Sequence, residues 1–515
     1  MSEHGARKWI ITITVILASL IELIDTSIVN VALPQMMGNL GATLDEVAWV
    51  VTAYVVANVI VIPMTGWLSS LFGRRNYFAG SIVLFTIASF FCGHATGIWE
   101  LVVFRFVQGV GGGALLSTSQ SIIVETFPPE ELGLANGLFG LGVVVGPTIG
   151  PTLGGWITDN YNWPWIFYVN IPIGIVATFL TLTFIHDPKE KHHLGRVDWA
   201  GIALLVLGIG SLQVVLERGE REDWFSAPYI TVLAVVAAIG VVGFVWRELT
   251  AEHPVVNLRV LKDRSLAVGT LFTFILGFGL YSSVFIFPVF IQNLLGFTAM
   301  QTGLILLPGG MATAIMMPVV GKALQRGFPP QIMNALGFIS FFVFTRMLSH
   351  STLDSGRSDF FWPLIFRGVG LGLLFVPLTT LALSNLRGRD IPQGAGLTNM
   401  MRQLGGSFGI ALIATYIQHR SATHRQNLLT HVSVYDFALR QRLAAITSAL
   451  VGRGSPLAEA KRQAAGAIEG IVTRQTFLLT YMDAFRIVGV FFLLCIPLLL
   501  LFRRGRGKPI SAPLH

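Results

Sequence analysis

The chain has 515 residues, of which 53% are hydrophobic and only 12% are charged, and its mean hydropathy is +0.68. This polar fraction is too small to cover a water-soluble particle of that size, so we predict an all-α polytopic membrane protein. The formal net charge of +8 does not indicate nucleic-acid binding, because the Lys and Arg residues are scattered through short loops.

Apolar windows of about 20 residues, the length that crosses a bilayer as a helix, recur along the whole chain. The first window follows Arg7 and Lys8 and lacks a small-residue cleavage site, so we interpret it as a retained span and not as a signal peptide. The fourteen predicted spans are 9–33, 47–69, 77–96, 99–123, 134–156, 164–185, 198–216, 228–246, 265–290, 302–322, 331–349, 362–385, 395–418 and 477–502.

The loops between these spans alternate in charge. "GRRN", "KALQRG" and "NLRGRD" are basic, whereas loops on the other side, such as "GHATG" and "TDNYNW", carry no Lys or Arg. The positive-inside rule therefore places the basic loops and both termini in the cytoplasm. A larger outer segment, 419–476, precedes the last span, and Ser455 followed by Pro456 predicts a helix start within a two-helix hairpin.

Spans 2 to 5 resemble spans 10 to 13 in order. "RFVQGVGGGALL" at Arg105 matches "RGVGLGLLFV" at Arg367, and "ANGLFGLG" at Ala135 matches "AGLTNMMRQLG" at Ala395. A parallel repeat of two six-span halves, with binding where the halves meet, is typical of one large class of transporters. Chance similarity between Gly-rich helices is the alternative. The predicted domains are a six-helix bundle at 1–185, two inserted helices with their linkers at 186–264, and a second six-helix bundle at 265–515.

The stretch "IELIDTSIVN" places two acids, Glu22 and Asp25, inside the first span. A charge at the centre of a membrane helix costs about 2.5–3.5 kcal/mol, so these acids need a functional reason. Their i, i+3 spacing puts them on one helix face with polar neighbours. An acid in apolar surroundings can bind either a proton or a cationic substrate, and competition between the two gives exchange. An acid that only pairs with Arg to hold two helices together is the alternative.

The rise per residue of a helix predicts which residues of different spans lie at the same depth in the membrane. Asp25 lies roughly 13 Å below the outer end of span 1, and Arg105 roughly 10 Å below the outer end of span 4. We predict a salt link between them that opens when the acid is protonated. The predicted coupling residues are Asp25, Glu22 and Arg105.

Other polar residues in the spans are candidates for lining a substrate cavity: Asn30, Gln108, Arg402 and Asp483. Asp483 has Arg486 three residues later, and such a pair can also neutralise itself. Arg346 and Arg367 lie near outer span ends, where their side chains can extend to the interface.

Span 5 contains "GVVVGPTIGPTLGG". Small residues let helices approach closely and proline bends a helix, so we predict a packing and bending element between the halves. A passive, closely packed helix is the alternative.

Other function classes have little support. No G-x-x-x-x-G-K-[ST] stretch indicates ATP binding, and no Ser/His/Asp or metal-ligand spacing indicates an enzyme. His186, His192 and His193 lie in a charged loop, which we interpret as solvated and not as a metal site. A polytopic lipid enzyme or a sensor is the remote alternative.

Together these segments resemble the major facilitator superfamily, in particular its fourteen-span drug:proton antiporters of the EmrB/QacA type, over nearly the whole chain. "LIDTSIVNVALP" is similar to the span 1 signature, which implies that Asp25 is the proton- and drug-linked acid. "LVVFRFVQGVGGG" is similar to the span 4 motif, which implies that Arg105 is the proton-coupling arginine. "WPWIFYVNIPIG", around Asn170, and "MMRQLGGSFG", around Arg402, also resemble family segments.

"GVVVGPTIGPTLGG" resembles the antiporter motif of span 5, the family's sign of export. The residues that carry this resemblance are Gly142, Gly146, Pro147, Gly150, Pro151 and Gly154.

Two features depart from the family pattern. The inner loop "GWLSSLFGRR" has Ser70 and Leu71 where the superfamily usually has an Asp and an Arg, which puts a charge relay through that loop in doubt. Glu22 is an acid that the span 1 signature does not require, and we interpret it as widening the preference toward cations. The loop residues that match the inner-loop gating motif are Gly66, Gly73, Arg74 and Arg75.

The resemblance implies a major facilitator fold and a proton-coupled multidrug efflux transporter that exports amphipathic or cationic toxic compounds by alternating access. It implies no cofactor, because the proton gradient drives transport. A dedicated exporter of one lipid, fatty acid or siderophore is the alternative. The outer segment resembles the EmrB-like subgroup, which implies a periplasmic membrane-fusion adaptor, an outer-membrane channel and a bacterial inner-membrane location.

Overall fold

A computed structural model describes residues 6–128, 131–187, 197–388, 390–430, 432–433 and 435–501. These residues form a helical bundle and contain no β-strand. His192, His193 and the basic run at 503–508 lie outside the described residues. The α-helices are α1 (Ala6–Leu40), α2 (Leu44–Phe72), α3 (Arg74–His94), α4 (Ile98–Thr126), α5 (Leu132–Asn160), α6 (Trp165–Tyr168), α7 (Asn170–Phe184), α8 (Trp199–Leu205), α9 (Ser211–Arg218), α10 (Pro228–Thr250), α11 (Arg264–Asn293), α12 (Ala299–Gln325), α13 (Pro330–Leu348), α14 (Phe361–Leu383), α15 (Asp390–Thr430), α16 (Phe437–Gly452) and α17 (Leu457–Cys495).

Thirteen helical stretches in the described part of the chain are long and apolar enough to cross a membrane. Helices α6 and α7 together form one of them, and α8, a π-helical turn at Val206–Gly210 and α9 form another. The remaining predicted span, 395–418, lies within α15. This helix is less apolar because Asn399 and Arg402 are part of it, and both side chains are buried against other helices.

The helix starts follow local sequence signals. At α2, Thr43 Oγ1 accepts a hydrogen bond from the N–H of Glu46 at 3.2 Å, and the Glu46 carboxylate accepts one from the N–H of Thr43 at 2.8 Å. This capping box satisfies backbone donors that the first helical turn leaves free. Between α2 and α3 the backbone turns at Gly73, whose φ of 81° favours glycine.

The outer segment contains the predicted pair of helices, α16 and the start of α17, which pack on each other, and it also contains the extension of α15, which the sequence did not predict. It consists of the end of α15, the separate helix α16 and the start of α17, which continues into the last span without a break. Ser455 does not cap α17, because the helix begins at Leu457 and Pro456 has an extended backbone with ψ of 144°. The helix therefore starts one residue after the predicted position, with Pro456 as the residue before its first turn.

Helices α1 to α7 pack against one another, and α11 to α15 pack with α17. The two groups meet where α5 contacts α12 and where α2 and α4 contact α15; we call this surface the seam. The domain boundaries at residues 185 and 264 remain a prediction.

We call one end of the bundle the Arg74 end: there α1 begins, α4 ends, and the rings of Trp9 and Phe127 lie 5.9 Å apart.

Three contacts hold the seam toward the Arg74 end. Gln120 Oε1 accepts a hydrogen bond from Asn399 at 2.6 Å. Asn136 donates to Thr380 Oγ1 at 3.1 Å. Gly66 lies against Gln393, so closely that a Cβ at Gly66 would be 2.9 Å from the Gln393 side chain. The Arg74 end of the seam is therefore closed.

The inserted helices attach to both groups. Gln213 on α9 donates to Ser407 on α15 at 2.6 Å, and Arg218 donates to the carbonyl of Asp45 at the start of α2 at 3.1 Å. The Trp224 indole donates to Thr415 on α15 at 2.9 Å. Asp223 and Trp224 reach this position with φ of 51° and 52°, a left-handed backbone that costs about 1–3 kcal/mol per residue.

Helix α5 has two faces of small residues. Gly142, Gly146, Gly150 and Gly154 lie against α1, and a Cβ at Gly146 would be 2.7 Å from the Cβ of Leu23. Another face of α5 packs on α12 through Gly133 and Gly137, which approach Gly321 and Met317. The motif glycines thus pack α5 onto the helix that carries both acids, while other glycines of α5 make the contact across the seam. The helix remains continuous through Pro147 and Pro151.

Gly146→Val should disrupt the contact between α5 and α1, because the added Cβ has no room beside Leu23. We expect the unfolding free energy to fall by about 1–3 kcal/mol, the usual cost of overpacking. The thermal unfolding midpoint of the purified protein in detergent measures the effect. The control is Gly466→Val on α17, where no atom lies within 4 Å of the added Cβ. Equal midpoints for the two variants would contradict the packing role.

Candidate functional site

Asp25 lies near the middle of α1 with its side chain fully buried. Its Oδ2 is 2.5 Å from Nη1 of Arg105 on α4. Its Oδ1 accepts hydrogen bonds from the side-chain amides of Gln108 at 3.0 Å and Asn170 at 2.9 Å. Ser89 on α3 accepts from the same two amides at 2.7 and 3.1 Å. The buried carboxylate therefore has a cation and two neutral donors as partners.

Arg105 is held from several sides, and its side chain is 1% exposed. Its Nε donates to the carbonyl of Val50 at 3.2 Å, and Nη1 donates to Gln108 Oε1 at 2.6 Å. The guanidinium carbon lies 4.2 Å from the centre of the Tyr54 ring and 5.7 Å from that of Phe167, distances at which cation–π attraction contributes. A buried ion pair needs such additional partners, because desolvation of two charges otherwise exceeds their attraction.

The predicted contact between Asp25 and Arg105 is thus present in the structure, and their role in proton coupling remains a prediction. Gln108, predicted as a cavity residue, belongs to the ion-pair network instead of lining an open space. Sequence reasoning missed Ser89 and Tyr54. A polar serine within the apolar stretch "FTIASFFC" was the available signal for the former.

Glu22 lies one turn before Asp25 and is also buried. Its Oε1 accepts a hydrogen bond from the Asn58 amide on α2 at 3.1 Å. Its Oε2 accepts from the backbone N–H of Leu116 in the middle of α4 at 3.1 Å. No Lys, Arg or His in the described part of the chain forms a direct ion pair with Glu22. The two acids therefore have different surroundings.

Arg402 on α15 lies on the other side of the seam and is 2% exposed. Its Nη2 donates to Asn399 Oδ1 at 2.6 Å, and its guanidinium carbon is 5.7 Å from the ring centre of Phe375. Asn399 in turn donates to Gln120 on α4. Arg402 is therefore connected to α4 through a two-step hydrogen-bond chain.

The structure does not bring the other predicted cavity residues into this cluster. Asn30 is exposed, and its amide donates only weakly to the carbonyl of Thr26, at 3.4 Å. Asp483 accepts from Arg420 at 3.0 Å, from His424 at 2.8 Å and from Arg486 at 3.2 Å. The hydrogen bond from Arg420, which lies beyond the predicted span, raises the pKa of that guanidinium. Asp483 thus joins α17 to the extension of α15.

Arg367 does not extend to the interface as predicted. Its side chain is 5% exposed, because it points from α14 toward α11, where its Nε donates to Ser283 Oγ at 3.1 Å. Arg346, by contrast, is exposed and near the end of α13.

The loop motif at the Arg74 end is bound by acids from two other segments. Arg74 forms an ion pair with Glu125 near the end of α4. The backbone N–H of Arg75 donates to the carboxylate of Asp187 at 2.8 Å, and a Cβ at Gly73 would be 2.9 Å from the same carboxylate. Sequence reasoning missed Glu125 and Asp187. Glu125 and Asp187 thus supply carboxylates to the loop after α2, which has Ser70 where the superfamily usually has an Asp.

The sequence profile of the Major Facilitator Superfamily matches residues 15–410. The chain belongs to the major facilitator superfamily. It is therefore a multi-pass membrane transporter with the fold of that superfamily. Groups of three or more potential metal ligands are absent from the part of the chain that the structure describes.

Relatives match this chain nearly end to end. The fatty acid resistance protein FarB of Neisseria gonorrhoeae is 34% identical, with 98% of each chain covered. The multidrug export protein EmrB of Escherichia coli K12 is also 34% identical, with 95% of this chain and 94% of EmrB covered. The colistin resistance protein EmrB of Acinetobacter baumannii is 27% identical over 97% of each chain.

Among solved structures, the human organic anion transporter MFSD10 aligns with 96% of this chain and 100% of its own, with a TM-score of 0.62. The two sequences are 13% identical, so this likeness concerns the fold alone. The match to the superfamily profile and the alignment with MFSD10 both agree with the helical architecture described above.

Arg105→Ala leaves a buried carboxylate without its cation, which should lower the unfolding free energy by about 3–5 kcal/mol at neutral pH. Asp25→Asn in the same protein should restore a large part of this loss, because no unpaired charge remains. Unfolding of the single and double variants in detergent measures the coupling. Arg462→Ala, which removes a surface pair with Glu459, is the control and should cost less than about 1 kcal/mol. Additive losses from the first two substitutions would contradict the ion pair.

Proposed function

We propose that this protein is a proton-coupled multidrug efflux transporter that exports amphipathic or cationic toxic compounds by alternating access. The observation that carries the proposal is the fully buried ion pair of Asp25 and Arg105, which lies inside a membrane-spanning bundle. Similarity to multidrug export protein EmrB over nearly the whole chain supports the export direction and the substrate class.

The exchange step follows from electrostatics. With Asp25 ionised, its charge is balanced by Arg105 and by the amides of Gln108 and Asn170. A proton on the carboxylate removes one charge of the pair and weakens the attraction between α1 and α4. A cationic substrate near the same carboxylate favours the ionised form, so the proton and the substrate exclude each other. Transport in opposite directions results if the site opens to one side at a time.

A second candidate substrate class comes from the relative FarB, which is a fatty acid resistance protein. The membrane core between Arg264 and Gln418 contains the buried cations Arg367 and Arg402, and the acids of that segment lie at helix ends or in loops. A fatty acid carboxylate fits such a cation better than it fits Asp25. A dedicated exporter of one lipid, fatty acid or siderophore is therefore the alternative.

We place the protein in the bacterial inner membrane with the Arg74 end and both termini in the cytoplasm, because that end carries the basic loops. The helices at 419–476 then project into the periplasm, where a membrane-fusion adaptor and an outer-membrane channel are the proposed partners. The ion pair of Arg74 with Glu125 then joins the start of α3 to the end of α4 on the cytoplasmic side. The proton gradient supplies the energy, and no cofactor is involved.

Asp25→Asn should abolish the transport of a fluorescent cation into inside-out vesicles energised by a pH gradient, since an amide cannot exchange a proton. The control is Asp159→Asn, which changes an exposed acid at the end of α5 and should transport normally. Equal transport by Asp25→Asn and native protein, or native transport that survives collapse of the gradient, would refute the proposal. Transport of a labelled fatty acid but of none among several cations would favour the dedicated exporter.

A further inference from the structure

The partners of Asp25 all belong to the first group of helices. Arg105 and Gln108 are on α4 and Asn170 is on α7, and Ser89 on α3, which accepts from the two amides, belongs to the same group. Binding of a proton to Asp25 therefore changes forces within one group only. Alternating access requires the two groups to move relative to each other, so a second contact must sense protonation across the seam.

Glu22 and Arg402 occupy the positions that such a contact needs. Glu22 is anchored to α4 through the N–H of Leu116. Arg402 is anchored to α4 from across the seam, through Asn399 and Gln120. Leu116 and Gln120 are four residues apart, about 6 Å along the helix axis. An acid of one group and a cation of the other are thus fixed at neighbouring turns of one helix.

The two charges attract without touching. Arg402 is among the groups that act electrostatically on Glu22, and no ion pair within 4.0 Å joins them. Because both side chains are buried, water screens this attraction less than it would at a surface. A proton on Glu22 removes the attraction while leaving the hydrogen bond from Asn58 possible.

We propose that Glu22 and Arg402 form a protonation-dependent latch across the seam, which holds the Arg74 end closed while Glu22 is ionised. Protonation of Glu22 releases the latch and favours opening of that end. This inference rests on the proposed function, because proton-driven export supplies the protons. Glu22 and Arg402 are positioning residues in this scheme, and Asp25 remains the acid that exchanges protons for substrate.

Few other groups face Glu22 from the neighbouring helices. Asp25 lies on its own helix, Tyr54 faces it from α2, Tyr281 from α11 and Arg402 from α15. Helix α4 contributes a backbone N–H, and the only acid of α5 lies at its far end. Asp25 is therefore the one other carboxylate among the groups that face Glu22, and an experiment must hold it constant.

The test uses the full-length protein in proteoliposomes, in the Asp25→Asn background, with cysteines in place of Asn136 and Thr380. These two side chains are hydrogen-bonded across the closed seam, whereas native Cys92 and Cys495 are buried. Disulfide formation between the new cysteines then reports closure of the Arg74 end. We expect fast cross-linking at alkaline pH and slow cross-linking at acid pH. Because thiols themselves react faster at alkaline pH, each rate is divided by the rate at which the same cysteines react with a small thiol reagent.

Glu22→Gln should make cross-linking slow at every pH, and Arg402→Gln should do the same. The double variant should show no further change, because either substitution removes the whole attraction. Arg402→Lys keeps the charge and should retain the pH response. Glu469→Gln, an exposed acid in the outer segment, is the control and should behave like the background.

The proposal is overturned if Glu22→Gln retains the pH response, or if the effects of Glu22→Gln and Arg402→Gln add. If the Asp25→Asn variant folds poorly, the same measurement is made with Asp25 intact. There Glu22→Gln should shift the pH of half-maximal cross-linking, and an unshifted midpoint overturns the latch. Neither result bears on efflux driven by Asp25, so a failed latch is distinguishable from a failed transport mechanism.

Discussion

The rest of the structure depends on one constraint, which is that a carboxylate buried within a membrane protein must be neutralised. Asp25 meets this constraint through Arg105 and the amides of Gln108 and Asn170. These partners come from helices α4 and α7, so the positions of at least three helices follow from the requirements of one side chain. Close packing around the network keeps water away and preserves the strength of the ion pair.

Glycine provides the close approach that this arrangement needs. The motif glycines of α5 allow α1 to lie against it, and Gly109 and Gly113 of α4 lie against backbone carbonyls of α2. Without a hydrophobic driving force between helices in lipid, such contacts are a main source of packing energy. The helix that carries Glu22 and Asp25 is thus fixed between α5 and α4, and only the protonation of its acids is left to vary.

Much of the architecture was predictable from the sequence, because hydropathy locates spans and helix rise sets depth. The contact of Asp25 with Arg105 follows from that arithmetic. The rotation of each helix about its own axis cannot be obtained from hydropathy or helix rise. For this reason Ser89 was missed and Gln108 was assigned to a cavity. Glu125 and Asp187 were missed because pairing between distant loops leaves no local pattern. Arg420 and His424, two of the partners of Asp483, lie on the extension of α15, a polar stretch that hydropathy does not reveal as helix.

The inserted helices restrict how far the two groups can separate. They hold α15 through Ser407 and Thr415, and they hold α2 through the carbonyl of Asp45. Opening the bundle at the end opposite Arg74 stretches this bridge until one of its hydrogen bonds breaks. The bridge therefore acts as a tether, and the reach of the Trp224 loop sets an upper limit on the width of the opening through which a molecule can leave.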